Sequence, residues 1–347
     1  MASNPDFILY VKNFCEFEGK QILQPKEYKI AKEISEILEK INSDNSVISA
    51  YNLVNDLNTK FQFEYEQQDS YELYHRFIEL FDNHANLQGG NNYPSGLNNS
   101  INPFMIELET TYKCDRCLNS FKKNDYLFDI SLNPGLIAFS VNTMIDNYFN
   151  PEIIADYTCS KCTVIDIIEQ IKSFSFQKYN SRFLILKNFL MDLSKKNIED
   201  DLQKINEKIE KFASEKDIFD VLGKLRLEPI KTNLIKKSEI NKYPKIMTVH
   251  VNKVFYDEYV YTNKMSIVFP EILNFGNKKS GEGILTYELT SFVEHFGHHN
   301  FGHYIAYRKF LDKWIFINDS RATLINKSKA FQVPNPYILF YRMVNEN

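Results

Sequence analysis

Five cysteines and seven histidines hold most of the chemistry open to these 347 residues. Four of the cysteines form two pairs, Cys114-Asp115-Arg116-Cys117 and Cys159-Ser160-Lys161-Cys162. A C-x-x-C knuckle aims two thiolates at one point, and two knuckles complete a tetrahedral site for zinc with no open position. Such a closed site cannot hold a reactive water, so the ion would be structural. Accidental pairing of buried thiols is the weaker reading when four of five cysteines fall into the pattern. The opening Met1-Ala2-Ser3-Asn4-Pro5-Asp6 has neither the basic nor the apolar part of a secretory leader. That favours reduced, metal-binding thiols over disulfides and predicts a cytoplasmic or nuclear setting. The long separation of the pairs predicts two hairpins meeting at their tips.

Four of the seven histidines crowd into His295–His303. The surrounding pattern predicts a strand, a glycine-bounded loop and a second strand, with Gly302 allowing a close backbone approach. His303 is then expected at the mouth of a cleft, outside a ladder. Downstream, Trp314-Ile315-Phe316-Ile317-Asn318-Asp319 forms another strand, and a hairpin would bring Asn318 beside His303. A carboxamide oxygen can accept from one ring nitrogen and leave the other as a base, which is the second half of a Cys-His-Asn arrangement. His75, His84, His298 and His299 read as ordinary satisfied histidines. A metal site within this cluster lacks supporting carboxylate spacing.

The elements that must position these groups are legible in part. Ile30, Ile34, Ile37, Leu38 and Ile41 recur at helical spacing, as do Leu73, Phe77, Ile78, Leu80 and Phe81. Residues 88–103 are Gly/Asn/Pro-rich and read as a loop. Residues 104–165 read as strands of a zinc-pinned subdomain. Ile198, Leu202, Ile205, Ile209 and Phe212 suggest an amphipathic helix, too short to argue a coiled coil. Strand signals follow at 246–253, 266–269, 285–289, 303–307, 314–317 and 337–341. Helices first and an antiparallel sheet last make an α+β chain.

Composition bounds the partners. With 28 Phe and 21 Tyr the chain cannot be disordered throughout. A net charge of −4 argues against a nucleic-acid backbone and suits a basic segment of a partner. No run of eighteen apolar residues is present, so no transmembrane helix is expected.

The histidine region resembles the histidine box of the ubiquitin-specific proteases. The shared residues are Tyr287/Leu289, His295/Gly297, Gly302-His303-Tyr304/Tyr307, Trp314 and Asn318-Asp319. Gln67-Gln68-Asp69-Ser70-Tyr71-Glu72 is similar to the family's Gln-Gln-Asp-x-x-Glu helix start, and the C-x-x-C pairs resemble its zinc-tipped fingers. The segment Pro244–Val251 resembles the strand opening the palm and has the flavour of the fungal and mitochondrial-outer-membrane branch, although Lys253 stands where arginine is usual. The resemblance implies a papain-like cysteine protease fold: a helical thumb over 1-105, zinc-binding β fingers over 106-168, a helical insert over 169-240 and a palm over 241-347. It implies His303 as general base, Asn318 as its orienting partner and Asp319 as support for the oxyanion site. Asp69, Glu72, Gln68, Gly302 and Tyr304 would contact the C-terminal tail of ubiquitin. Two carboxylates at a helix start also suit arginine side chains, while simple helix capping is the bland alternative for Asp69 and Glu72. The implied cofactor is one structural zinc and no catalytic one. The implied partners are ubiquitin and ubiquitinated proteins, met by a monomer. Residues 296–302 would form a mobile loop over the tail channel.

The family's N-terminal cysteine box has no counterpart here. Met1 falls where an apolar residue of the helix after that box would stand, so one expectation is a longer natural protein whose nucleophile lies upstream. The other is an inactive ubiquitin-binding relative. An upstream segment could also carry a membrane anchor. Cys15 lies outside the zinc set, beside the acidic Glu16, and reads as a small, partly buried thiol, not a substitute nucleophile.

Overall fold

The computed structural model describes residues 1, 4–18, 23–43, 49–61, 68–82, 102–134, 140–173, 181–195, 229–257, 259–262, 266–276, 284–298, 301–332 and 335–344. Among the described residues, four helices open the chain. Helix α1 (Pro5–Asn13) starts where Asn4 Oδ1 accepts the Asp6 N–H at 3.0 Å and Pro5 needs no partner for its nitrogen. It runs into a π-helical turn, Phe14–Glu18. Helices α2 (Pro25–Ser43), α3 (Tyr51–Phe61) and α4 (Ser70–Asp82) follow. Of the residues the periodicity marked, Ile30, Ile34 and Leu38 on α2 and Ile78, Leu80 and Phe81 on α4 are buried, and Tyr74 joins them. These side chains share one core with Phe7, Phe14, Phe104, Ile246, Ile338 and Phe340.

The remaining elements, in chain order, are β1 (Ile106–Cys114), β2 (Ser120–Leu127), β3 (Ile130–Leu132), α5 (Val141–Tyr148), β4 (Glu152–Thr158), α6 (Ser160–Ser173), α7 (Ser181–Lys195), β5 (Lys231–Lys242) and β6 (Ile246–Val251). Then come β7 (Val254–Asp257), β8 (Tyr259–Thr262), β9 (Ile272–Gly276), β10 (Ile284–His298), β11 (Phe301–Phe310), β12 (Lys313–Asn318), β13 (Arg321–Ile325), α8 (Lys327–Ala330) and β14 (Pro336–Met343). Two compact units result. The first joins residues 1–107, 126–148 and 241–347. Its sheet runs β13-β12-β11-β10-β14-β6-β3, with β9 added along β10. Neighbours are antiparallel except β3, which pairs with β6 in parallel. All six residues of β6 are buried, as a strand covered on both faces requires. The second unit joins 108–125 and 149–240 around a sheet of order β2-β1-β5-β4.

The α+β reading stands, but several boundaries move. Residues 126–148 belong to the first unit, because β3 hydrogen-bonds to β6, so the expected fingers do not fill 106-168 without a break. The insert 169-240 does not stay helical: β5 lies between β1 and β4 and completes the finger sheet. The heptad-like residues 198–212, the loop residues 88–101 and His84 lie outside the described residues. Segment 266–269 is no strand; Val268 makes only an isolated bridge to Ser140. The expected loop over 296–302 is also corrected. Phe296 pairs with His303, Gly297 with Gly302 and His298 with Phe301, so the ladder continues through 296–298 and 301–302. Among the described residues no helix is long and apolar enough to cross a membrane.

Candidate active site and candidate metal centre

His303 sits within β11, not beyond it, and Asn318 ends the neighbouring strand β12. His303 Nε2 lies 2.8 Å from Asn318 Oδ1. A carboxamide oxygen only accepts, so Nε2 carries the proton and Nδ1 keeps its lone pair. Among the described residues Nδ1 has no hydrogen-bond partner, and the His303 side chain is 44% exposed. An imidazole held at one nitrogen and open at the other can take and return a proton. Asp319 begins the tight turn into β13, where Asn318 pairs with Arg321. Its φ of 50° is left-handed, a conformation aspartate tolerates better than most residues. Its carboxylate reaches only to 3.9 Å from Nε2 and is 79% exposed.

Gly302 is fixed by contact. A Cβ there would lie 2.1 Å from His295 Nε2 and 2.6 Å from the Phe296 carbonyl oxygen. The His295 ring also stacks on Tyr304 with centroids 4.5 Å apart, so it flanks both neighbours of His303.

Asp69 does the capping its position suggests and more. Its Oδ1 accepts the N–H groups of Tyr71 at 2.7 Å and Glu72 at 3.0 Å, starting α4. Its Oδ2 accepts the hydroxyls of Tyr304 at 2.8 Å and Tyr337 at 2.6 Å, on β11 and β14. Burial pushes its pKa up, but the Tyr337, Glu72, Tyr304 and Tyr71 hydrogen bonds outweigh burial and hold it below the usual carboxylate value. Asp69 thus ties the helix start to the strand of His303. Gln68 is half-buried just before it. Glu72 faces outward, its side chain 49% exposed and paired with Arg76 at 3.2 Å.

Sequence reasoning passed over a buried polar layer behind these residues. His250, on β6, is 5% exposed. Its ring stacks on Tyr71 at 3.6 Å and meets Tyr337 edge-on at 5.0 Å, and its Nδ1 shares a hydrogen bond of 2.9 Å with Ser131 Oγ. Burial pushes its pKa down to about 4. Asp129 gathers Tyr71, Ser131 and His75 around one buried carboxylate. Tyr337 could have been found from its place in a strand of mixed polarity. His250 and Asp129 carried no spacing signal at all.

The four paired cysteines converge. Their sulfurs all lie within 4.8 Å of one another, with Cys114–Cys162 at 3.7 Å and Cys117–Cys159 at 3.5 Å. A tetrahedral ion with Zn–S bonds of about 2.3 Å needs sulfurs roughly 3.8 Å apart, so these thiols fit one zinc. Cys114 and Cys117 flank the turn after β1, as expected for a hairpin tip. The second pair corrects the expectation: Cys159 follows β4, and Cys162 is in the first turn of α6. Cys114, Cys159 and Cys162 are buried. Burial raises the Cys114 pKa, but the N–H groups of Cys117 and Arg116 and the Thr232 hydroxyl bring it down to about 7. Burial pushes Cys159 up to about 12. Cys15 is 7% exposed, and burial and then the Glu16 carboxylate push its thiol up to about 11.

Comparison with known proteins follows this geometry. The family model described as "Ubiquitin carboxyl-terminal hydrolase" matches residues 1–341. Ubiquitin carboxyl-terminal hydrolase 16 of Emericella nidulans is 28% identical over 217 residues, 60% of this chain and 31% of its own length. Its namesake in Saccharomyces cerevisiae is 26% identical over 168 residues, 46% of this chain and 32% of its own. The chain thus spans about a third of the length of these relatives. The SAGA Ubp8/Sgf11/Sus1/Sgf73 DUB module bound to ubiquitin aldehyde matches with a TM-score of 0.66 at 19% identity, over 100% of this chain and 66% of that one. A SAGA DUB module bound to monoubiquitin gives 0.67 at 18%, over 99% of this chain and 65% of that one.

Proposed function

This chain belongs to the ubiquitin carboxyl-terminal hydrolase family, and from that premise we propose that it captures ubiquitin by its C-terminal tail and brings the last carbonyl to His303. The observation that carries the reading is the His303–Asn318 bond of 2.8 Å with Nδ1 left open. In the family reaction, Nδ1 would take the proton of a thiol. The thiolate would attack the carbonyl carbon of the terminal glycine, and Nδ1–H would protonate the departing lysine amine. Water would then cleave the thioester. Asn318 keeps the ring oriented and its Nε2 proton in place while Nδ1 gains and returns one. Asp319, exposed and close to the ring, supports the oxyanion side. Asp69 shapes the tail groove through Tyr304 and Tyr337, while Glu72 and Gln68 meet the basic tail. The zinc holds the fingers together and takes no part in the bond change.

Hydrolysis needs a thiolate that none of the five cysteines supplies. Four meet at the metal centre, and Cys15 is buried with a raised pKa. Capture without hydrolysis is the second reading. Its setting would be cytoplasmic or nuclear, where thiols stay reduced. Calorimetry with intact ubiquitin and with ubiquitin lacking its terminal residues tests capture: intact ubiquitin binds and the truncated form does not. Equal binding of both, or of neither, contradicts it. Ubiquitin carrying a thiol-reactive tail should leave this chain unlabelled, and labelling at Cys15 would overturn its assignment.

A further inference from the structure

The ladder between β10 and β14 breaks beside the active site. Its register shifts between Val293 and Glu294, where Glu294 comes opposite Pro336. A shifted register leaves backbone groups without their ladder partners, and Asn335 supplies them. Its side-chain Nδ2 donates to the His295 carbonyl at 2.7 Å, and its backbone N–H donates to Glu294 Oε1 at 2.7 Å. Its Oδ1 accepts from the Lys253 ammonium. Asn335 thus stands between two buried groups of opposite charge, Lys253 and Glu294, which are 7% and 2% exposed. A buried ammonium and carboxylate are costly unless each is hydrogen-bonded, and one carboxamide residue serves both.

We propose that Asn335 is a positioning residue for His303, fixing the His295 backbone so that the His295 ring packs against Gly302 and Tyr304 and sets the place of the imidazole between them. The chain of contacts is short. Asn335 holds the His295 carbonyl. The His295 ring occupies the space a Cβ on Gly302 would need and stacks on Tyr304. Gly302 and Tyr304 are the residues on either side of His303. Tyr304 is held from its far end by Asp69. Among the described residues Asn335 bonds to Lys253, Glu294 and His295 and to neither His303 nor Asn318, so its effect passes through His295. Burial pushes the Lys253 ammonium down to about 8, against the pull of Glu294. Burial raises the Glu294 carboxyl, against Asn335, Tyr307 and Lys253. These shifts fit a clamp closed off from water.

The test rests on the reading of His303 as the base and is built to separate the two. Nitrogen NMR of His303 reports which ring nitrogen carries the proton. The parent chain should show a single tautomer with the proton on Nε2, and Asn318→Ala should shift it toward a mixture. Asn335→Asp keeps the size and the acceptor for Lys253 but cannot donate to the His295 carbonyl. It should move the His303 signals toward the same mixture, as should Asn335→Ala. A fall in melting temperature with His303 signals unmoved in both Asn335 variants overturns the positioning role alone. His303 signals unmoved even in Asn318→Ala overturn the base assignment and the proposal with it.

Discussion

The metal centre and the histidine site are built on opposite physical terms. The first gathers four identical soft ligands, closes every coordination position and buries three of the four thiols. The second, among the described residues, holds one imidazole by a single hydrogen bond and leaves its other nitrogen open on a half-exposed ring. A site that stabilises must exclude solvent, and a site that moves protons must admit a substrate. The contrast teaches where stability and chemistry part in this chain. Removing a cysteine should cost fold, and removing His303 should leave the fold intact.

The largest effect is therefore expected at the fingers. Cys159→Ser should drop bound zinc from one equivalent to none and unfold the finger unit. Structural zinc in small modules contributes on the order of 10 kcal/mol. Metal analysis beside a melting curve checks this. An unchanged curve would mean that the cluster does not hold the unit together.

The next effect concerns the palm and has a pH signature. His250 has a folded pKa of about 4 against an ordinary 6.5, because burial disfavours the charged ring. The unfolded chain then binds the extra proton first. Stability is full above about pH 6.5 and declines as pH falls toward 4, by roughly 3 kcal/mol from this group. His250→Phe should flatten that part of the pH–melting profile while leaving zinc content unchanged. Asp69 works lower on the scale. Its depressed pKa adds stability present above the ordinary value of 3.8 and lost as pH falls through the folded value.

Smaller again is Gly302→Ala. The new methyl would need the space of His295 Nε2 and the Phe296 carbonyl. Backbone cannot give as a flexible side chain can, so a loss of about 1–3 kcal/mol is expected. It should come with a shift of the His303 signals, read by thermal melting and NMR together. Smallest is His303→Ala, whose half-exposed ring makes one hydrogen bond. Its stability, read by thermal melting, should stay within about 0.5 kcal/mol of the parent. A large loss there would erase the contrast between the two regions.

How much of this was legible follows from the range of each interaction. C-x-x-C knuckles are local, so Cys114, Cys117, Cys159 and Cys162 could be assigned from spacing. The helical faces around Ile30 and Ile78 could be read for the same reason. His303 and Asn318 are 15 residues apart across one hairpin, still within reach of pattern. The hairpin itself was misjudged, because Gly297 and Gly302 read as loop punctuation although they pair with each other in the ladder. The finger sheet was misjudged because β5 joins it from far along the chain. The supporting layer was out of reach. Tyr337 meets Asp69 across 268 residues, and Tyr74 meets Thr248 across 174. Nothing in the local sequence of His250, Lys253, Glu294 or Asn335 announces such partners.

The central claim is that ubiquitin's tail ends against the open nitrogen of His303. The most direct measurement follows the His303 ring signals while ubiquitin is added. Intact ubiquitin should shift them, and ubiquitin without its terminal residues should leave them where they were. Binding of intact ubiquitin with the His303 signals unmoved would contradict the account.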